Sequence, residues 1–263
     1  MKGKCDSSSA IPRLQKDQKN CEDCSLFSLC FTHELPADEL GILESSTKPD
    51  QSVKRDAHLF HAGLSMKNVR VVRSGSIKSY QISPDGEEVV SGFFLPGEVI
   101  GLDALATETH PSFAVALEDS QTCDIPLPDF LKMLRDSPKL NEVMIRLLSE
   151  EMVETRELLL VVGRLDAQTR VALFLLSLSR RLARRRQNPD QFKLSMDRRD
   201  IANYLGITIE TVSRTLSKFQ RNDIIEVHGK QIRILNRQAL ESIAMPGLNA
   251  STQTGGESSQ STG

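Results

Sequence analysis

The chain has 263 residues, 39% hydrophobic and 26% charged, with a formal net charge of −2. That length fits two modest domains plus tails, and the composition is ordinary for a globular protein. No run of 18 apolar residues exists, which excludes a membrane-spanning helix. The N-terminal stretch MKGKCDSSSAIPRLQK lacks the apolar segment of a secretory signal. The expected compartment is therefore the cytoplasm, where clustered cysteines bind metal or sense redox state more readily than they form structural disulfides.

Residues 1–20 are polar and read as a loose N-terminal segment, with Cys5 a spare thiol in it. The next stretch, CEDCSLFSLCFT, holds three of the five cysteines as Cys21-x2-Cys24-x5-Cys30, and Cys123 follows 92 intervening residues later. Leu26, Phe27, Leu29 and Phe31 are interleaved with them and would limit water access. Four thiolates suit zinc or an iron–sulfur cluster equally well. A structural zinc site usually has two tight CxxC pairs, whereas here one spacing is x5 and one ligand is remote. A disulfide switch is the remaining option.

Residues 50–128 read as short strands. Gly63, Gly75, Gly86 and Gly97 fall 12, 11 and 11 residues apart. Between them lie 69–72, 76–82 and 88–90, with Pro84-Asp85-Gly86 separating the last two as a hairpin turn would. The spacing predicts an all-β barrel or jelly roll in which the glycines serve turns. With the cysteine loop it forms a sensor domain over 21–137.

Residues 138–164 switch to helical periodicity. Ile145, Leu148, Met152, Thr155, Leu159 and Val162 recur at steps of 3 and 4, a coiled-coil seam of a little over two heptads. Thr155 is its one polar member. A further helix is predicted over about 167–186, capped by Asp166 and ending in RRLARRR. Residues 246–263 are low-complexity and read as a disordered tail.

Residues 196–220 read as two helices about one turn apart. Ile201, Ala202 and Leu205 form the apolar face of the first, Gly206 permits the turn, and Thr208 caps the second. Val212, Leu216 and Phe219 face inward, leaving Glu210, Thr211, Ser213, Arg214 and Lys218 outward. A recognition helix needs this: Arg can bond guanine O6 and N7, Glu can accept from cytosine N4, and Ser can touch a thymine methyl. Lys218, Arg198 and Arg199 suit phosphates. Residues 224–235 read as a hairpin turning at Gly229-Lys230, which makes 165–245 a winged helix-turn-helix. Residues 164–245 carry 16 Lys/Arg against 8 Asp/Glu, while the rest of the chain carries 17 against 27. A basic C-terminal unit beside an acidic body fits double-stranded DNA as a partner.

A β-roll, a long helix and a winged helix-turn-helix, in that order, resemble the cyclic-AMP-receptor/fumarate-nitrate-reduction (CRP/FNR) regulator superfamily. Two motifs resemble its oxygen-sensing FNR branch: the Cys21-x2-Cys24-x5-Cys30 set with Cys123, and Glu210-x2-Ser213-Arg214. The resemblance covers about residues 20–245. It implies an α+β fold, with an N-terminal β-roll of the jelly-roll, cyclic-nucleotide-binding type, a dimerisation helix and a winged helix-turn-helix. It also implies an oxygen-labile [4Fe-4S] cluster on Cys21, Cys24, Cys30 and Cys123, and a homodimer through 145–162. The dimer would bind a two-fold site of TTGAT-like half-sites, read by Glu210, Ser213 and Arg214. Surface loops around 82–87 and 113–120 would touch RNA polymerase. Oxygen would destroy the cluster and part the dimer.

Two departures argue against a cyclic nucleotide as signal. The region matching the phosphate cassette, Gly97–Asp103 and His110–Ala114, has no Arg-Ser pair, and Ile209 stands where the cyclic-AMP receptor has a base-reading arginine. His58-x2-His61 has no third ligand nearby and reads as polar surface. No P-loop, GxSxG elbow or HExxH is present, so an enzyme is not expected.

Overall fold

β-Branched residues at alternating positions, broken by turn glycines, fold the N-terminal half into two antiparallel sheets. The computed structural model describes residue 21 and residues 23–244; the readings at Cys5, at 1–20 and at 246–263 lie outside them. One sheet has the order β1 (Lys48–Val53), β8 (Ser120–Pro126), β3 (Asn68–Ser74) and β6 (Val99–Ile100). The other runs β2 (His58–Phe60), β7 (Phe113–Ala116), β4 (Ile77–Ile82) and β5 (Glu88–Phe94). Val69, Val72, Ile77, Ala114, Ala116 and Ile125 are buried at 1% exposure or less, so the strands' apolar faces meet inside the roll. The β4–β5 hairpin turns where Pro84-Asp85-Gly86 predicts, with Ile82 opposite Glu88. The four regularly spaced glycines all take φ between +79° and +89°, the turn role read from their spacing.

The roll is followed by α2 (Leu127–Asp136) and the 27-residue α3 (Pro138–Arg164); α1 (Ala37–Ser46) precedes β1. Ser137 starts α3 by accepting the Leu140 amide on Oγ at 2.8 Å. The first turns of α3 are anchored by buried Leu140, Val143 and Met144. Beyond them the seam residues Ile145, Leu148, Met152 and Leu159 are 40–69% exposed. Thr155 is also exposed, its hydroxyl donating back to the Glu151 carbonyl at 2.8 Å. Val162 belongs to α3, but its side chain lies outside those described.

The C-terminal unit contains α4 (Ala167–Arg184), β9 (Gln191–Lys193), α5 (Arg198–Leu205), α6 (Ile209–Arg221), β10 (Ile225–His228), β11 (Gln231–Ile234) and α7 (Arg237–Ala244). Asp166 caps α4 as expected, accepting the Gln168 and Thr169 amides at 2.8 and 3.0 Å. The wing hairpin β10–β11 gains a third strand, β9, that three residues were too short to announce. One polymerase-facing expectation is corrected. Residues 113–120 are not a loop: 113–116 form β7 and β8 starts at Ser120, which leaves a turn at 117–119. The alternating burial of Phe113–Ala116 explains why, since Ala114 and Ala116 belong to the roll's core.

The two units share a core. Tyr80, Val90, Phe93 and Leu95 of the roll cluster with Phe174 and Leu178 of α4 and with Ile201 and Leu205 of α5.

Candidate metal centre and DNA-binding face

Cys21, Cys24 and Cys30 lie on a tight loop. The Cys24 amide donates to the Cys21 carbonyl at 3.0 Å, and a short 3-10 turn at Phe27–Leu29 brings the Cys30 amide to the Leu26 carbonyl, also at 3.0 Å. A second such turn, Phe31–Glu34, ties the loop to the helices behind it. Phe31 packs edge-on against Phe130 of α2 with ring centroids 6.4 Å apart, and Glu34 forms an ion pair with Arg146 of α3. Cys123 comes from β8, opposite Val71 of β3.

All four thiols line one cavity, walled by apolar Leu26, Phe27, Leu43, Val71 and Ile125 and by Thr32, Thr47, Arg73 and Gly97. None of the four is in a disulfide. Among the described residues no three His, Cys, Asp or Glu side chains converge at metal-holding distance. Burial, reinforced by Cys30, Glu44, Cys123 and Cys24, pushes the Cys21 thiol up to about 12. Burial also raises Cys30, against the hydroxyl and amide of Thr32, which favour its thiolate. Soft donors gathered from two chain segments in an apolar pocket, with a guanidinium and a buried hydroxyl in its wall, fit a thiolate-bound metal group. The Thr32 hydroxyl is buried without a hydrogen-bond partner among the described residues.

The turn between β5 and β6 touches the cysteine loop on one side and the C-terminal unit on the other. Gly97 has φ +89°, and a Cβ there would stand 3.1 Å from Leu29 Cβ and 3.3 Å from the Leu29 carbonyl oxygen. The next residue, Glu98, accepts from Arg181 Nε at 3.0 Å and from Arg185 Nη2 at 2.6 Å. Arg185 Nε also donates to the Pro96 carbonyl at 2.7 Å. Burial alone would raise the Glu98 carboxyl, but the two guanidiniums outweigh it and hold it below the usual carboxylate range. A second clasp joins β4 to α5. Lys78 Nζ donates to Asp200 at 2.8 Å and Glu88 at 3.1 Å, while Asn203 accepts the Val90 amide at 2.6 Å and donates to the Glu88 carbonyl.

In the helix pair, Asp197 and Asp200 form a reciprocal capping box, Gly206 takes φ +60°, and Thr208 accepts the Thr211 amide at 3.2 Å. Val212, Leu216 and Phe219 are buried at 1–3% exposure, which leaves Glu210, Arg214 and Lys218 on the open face of α6. Thr211 and Ser213 are half-buried and already engaged: Arg214 Nη2 donates to Thr211 Oγ1 at 3.3 Å and Arg198 Nη1 to Ser213 Oγ at 3.0 Å. The Glu210 carboxyl is held below its ordinary range by its own backbone amide and the Thr208 hydroxyl, so it stands ready as an acceptor. Gln168 at the start of α4 joins Thr211, Ser213, Arg214, Lys218 and Arg221 in one concave face.

The sequence singled out every cysteine of the cavity and the outward face of α6. It read Gly97 only as a turn glycine and missed Thr32, Arg73, Glu98 and Asn203. Thr32 stands two residues after Cys30; the others carry no local signal, because their roles depend on contacts far along the chain.

Residues 50–137 match the cyclic nucleotide-binding domain family and residues 169–243 the Crp-like helix-turn-helix domain family. Fold and recognition helix together define a DNA-binding transcription regulator, not an enzyme. The chain is similar to the fumarate and nitrate reduction regulatory proteins of Escherichia coli (strain K12) and Yersinia pestis. Each is 40% identical over 225 residues, 86% of this chain and 90% of the relative. On that footing it belongs to the fumarate and nitrate reduction regulator branch of the CRP/FNR superfamily. Among solved structures it is similar to FixK2 from Bradyrhizobium japonicum, with a TM-score of 0.70 and 30% identity over 76% of this chain and 98% of that one. A CooA mutant from Carboxydothermus hydrogenoformans, 22% identical over 78% of this chain and 90% of that one, shares the fold with a TM-score of 0.63. No helix among the described residues is long and apolar enough to cross a membrane.

Proposed function

We propose that this chain is an oxygen-responsive regulator of anaerobic metabolism genes in the cytoplasm, holding a [4Fe-4S] cluster on Cys21, Cys24, Cys30 and Cys123 and binding DNA as a homodimer. The observation that carries the reading is the meeting of four thiols, from two segments 92 residues apart, in one apolar cavity. When bound, the cluster supplies the bonds that oxygen attacks. The chain supplies the rest. Phe31 and Glu34 tie the cysteine loop to α2 and α3, so a change in the loop reaches the root of the exposed seam. Ile145, Leu148, Met152, Thr155, Leu159 and Val162 would pair with a second copy, which sets two recognition helices about one DNA turn apart. Ser112 donates to Asp103 at 2.9 Å in the cassette region, and that carboxylate would repel a cyclic nucleotide's phosphate. The exposed turn at 83–87 is the better remaining surface for RNA polymerase.

Anaerobic purification followed by iron and acid-labile sulfide analysis tests the cofactor. About four of each per chain, with absorbance that bleaches in air, supports the cluster. Zinc in place of iron overturns it and leaves a regulator with a structural metal; a disulfide among these cysteines would point to a thiol switch.

Two further results are expected. Thr155→Leu strengthens the dimer by about 1–2 kcal/mol through added apolar burial, roughly tenfold in dissociation constant, as read by sedimentation of the metal-free protein. An unchanged monomer–dimer balance would remove α3 as the interface. Arg214→Ala costs about 1–3 kcal/mol on half-sites of the TTGAT type and relaxes preference at the guanine. Equal weakening on every DNA sequence would make Arg214 a phosphate contact.

A further inference from the structure

The wall of the cysteine cavity holds two threonine hydroxyls. That of Thr47 is satisfied, donating to the Leu43 carbonyl at 2.7 Å. That of Thr32 is not: the residue is 2% exposed, and its Oγ1 has no partner among the described residues. Burying a hydroxyl unbonded is costly, so such a group calls for an acceptor that the loaded site would provide. The Arg73 guanidinium in the same wall has only donors to offer. The sulfur closest to Thr32 along the chain is that of Cys30, two residues back, and both residues line the cavity. A thiol is a weak acceptor, whereas a metal-bound thiolate is a strong one.

We propose that Thr32 is a positioning residue of the four-cysteine site, its hydroxyl donating a hydrogen bond to Cys30 Sγ when that sulfur is a metal-bound thiolate. This rests on the metal reading given above. A donor on a ligating sulfur withdraws electron density from the centre and stabilises its more reduced state, so it raises the reduction potential and slows oxidation. Thr32 thereby sets how readily oxygen is felt, without being a ligand itself.

The test uses the full chain, purified without oxygen, as wild type, Thr32→Val, which keeps the shape and removes the hydroxyl, and Thr32→Ser, which keeps the hydroxyl. Iron-loaded protein is measured for midpoint potential and bleaching rate in air. Cobalt(II)-loaded protein is measured for its sulfur-to-metal charge-transfer band. The valine variant is expected to show a lower potential, severalfold faster bleaching and a shifted cobalt band, with serine restoring all three. Its metal-free thermal stability should equal or exceed that of wild type, since an unbonded buried hydroxyl is gone. Thr32→Ala repeats the comparison should the extra valine methyl disturb the loop. Wild type that loads metal beside valine and alanine variants of unchanged potential, rate and band overturns the Thr32 assignment alone. A wild-type chain that binds neither metal overturns the metal centre, and this assignment with it.

Discussion

Cys123→Ser is expected to abolish oxygen-responsive DNA binding while leaving the fold in place. Cys123 is half-buried on β8, beside buried Thr122 and Asp124 and opposite Val71. Serine matches its size and keeps the strand's backbone pairing, so the β-roll should lose about 1 kcal/mol at most. On the proposed four-cysteine site, however, the ligand set would drop from four thiolates to three, and the missing one would be the sole contribution of the β-sheet. Even groups that only support a ligand change metal affinity by about 10–100-fold, so loss of a ligand should exceed that range. Anaerobic iron content and DNA binding, read together with a thermal melt, check the outcome. Undiminished iron and a full oxygen response in the serine variant would sink the four-ligand site.

Glu98→Ala is expected to loosen the join between the two units. Arg185 keeps only 6% of its side chain exposed and Arg181 20%, so both depend on the Glu98 carboxylate. Removing one partner of a buried ion pair costs about 3–5 kcal/mol; with 27% of the Glu98 side chain exposed, the lower part of that range applies. The pH dependence has a definite sign. The folded-state Glu98 carboxyl lies below its unfolded value, so its contribution is complete above about pH 4.3 and is lost as pH falls through the folded value. The alanine variant should therefore be less stable at neutral pH and converge toward wild type in acid. Urea titrations between neutral pH and pH 3 measure both effects. Equal stability at neutral pH, or parallel curves into acid, would show that the clasp contributes nothing.

The clasp also shows what charge counting could not resolve. The basic surplus of residues 164–245 pointed to DNA, yet several of its arginines face inward. Arg181 and Arg185 grip Glu98, Arg170 donates to the Leu205 carbonyl at 2.9 Å, and Arg237 pairs with Asp190 at 2.6 Å. Arg214 and Lys218, by contrast, stand on the open face of α6. A guanidinium looks the same in sequence whether it faces a phosphate or a carboxylate of its own chain.

The sequence by itself determined the parts whose signals are local. Strand turns follow from glycines that must take positive φ, helix starts from Asp166 and Thr208, and the outward face of α6 from a 3.6-residue period. The metal reading began from four cysteines, because thiols are rare in this chain and their spacing is visible without a fold. Only the tertiary structure decided the rest. It brought Cys123 beside a loop some 90 residues earlier, buried Thr32 in the same cavity, and pressed Gly97 and Glu98 between the cysteine loop and α4. It also turned residues 113–116 from an expected loop into a core strand. Those outcomes depend on which surfaces meet when two sheets and a helical unit pack together, and that pairing is fixed by shape and burial summed over the whole chain, which no short stretch of sequence records.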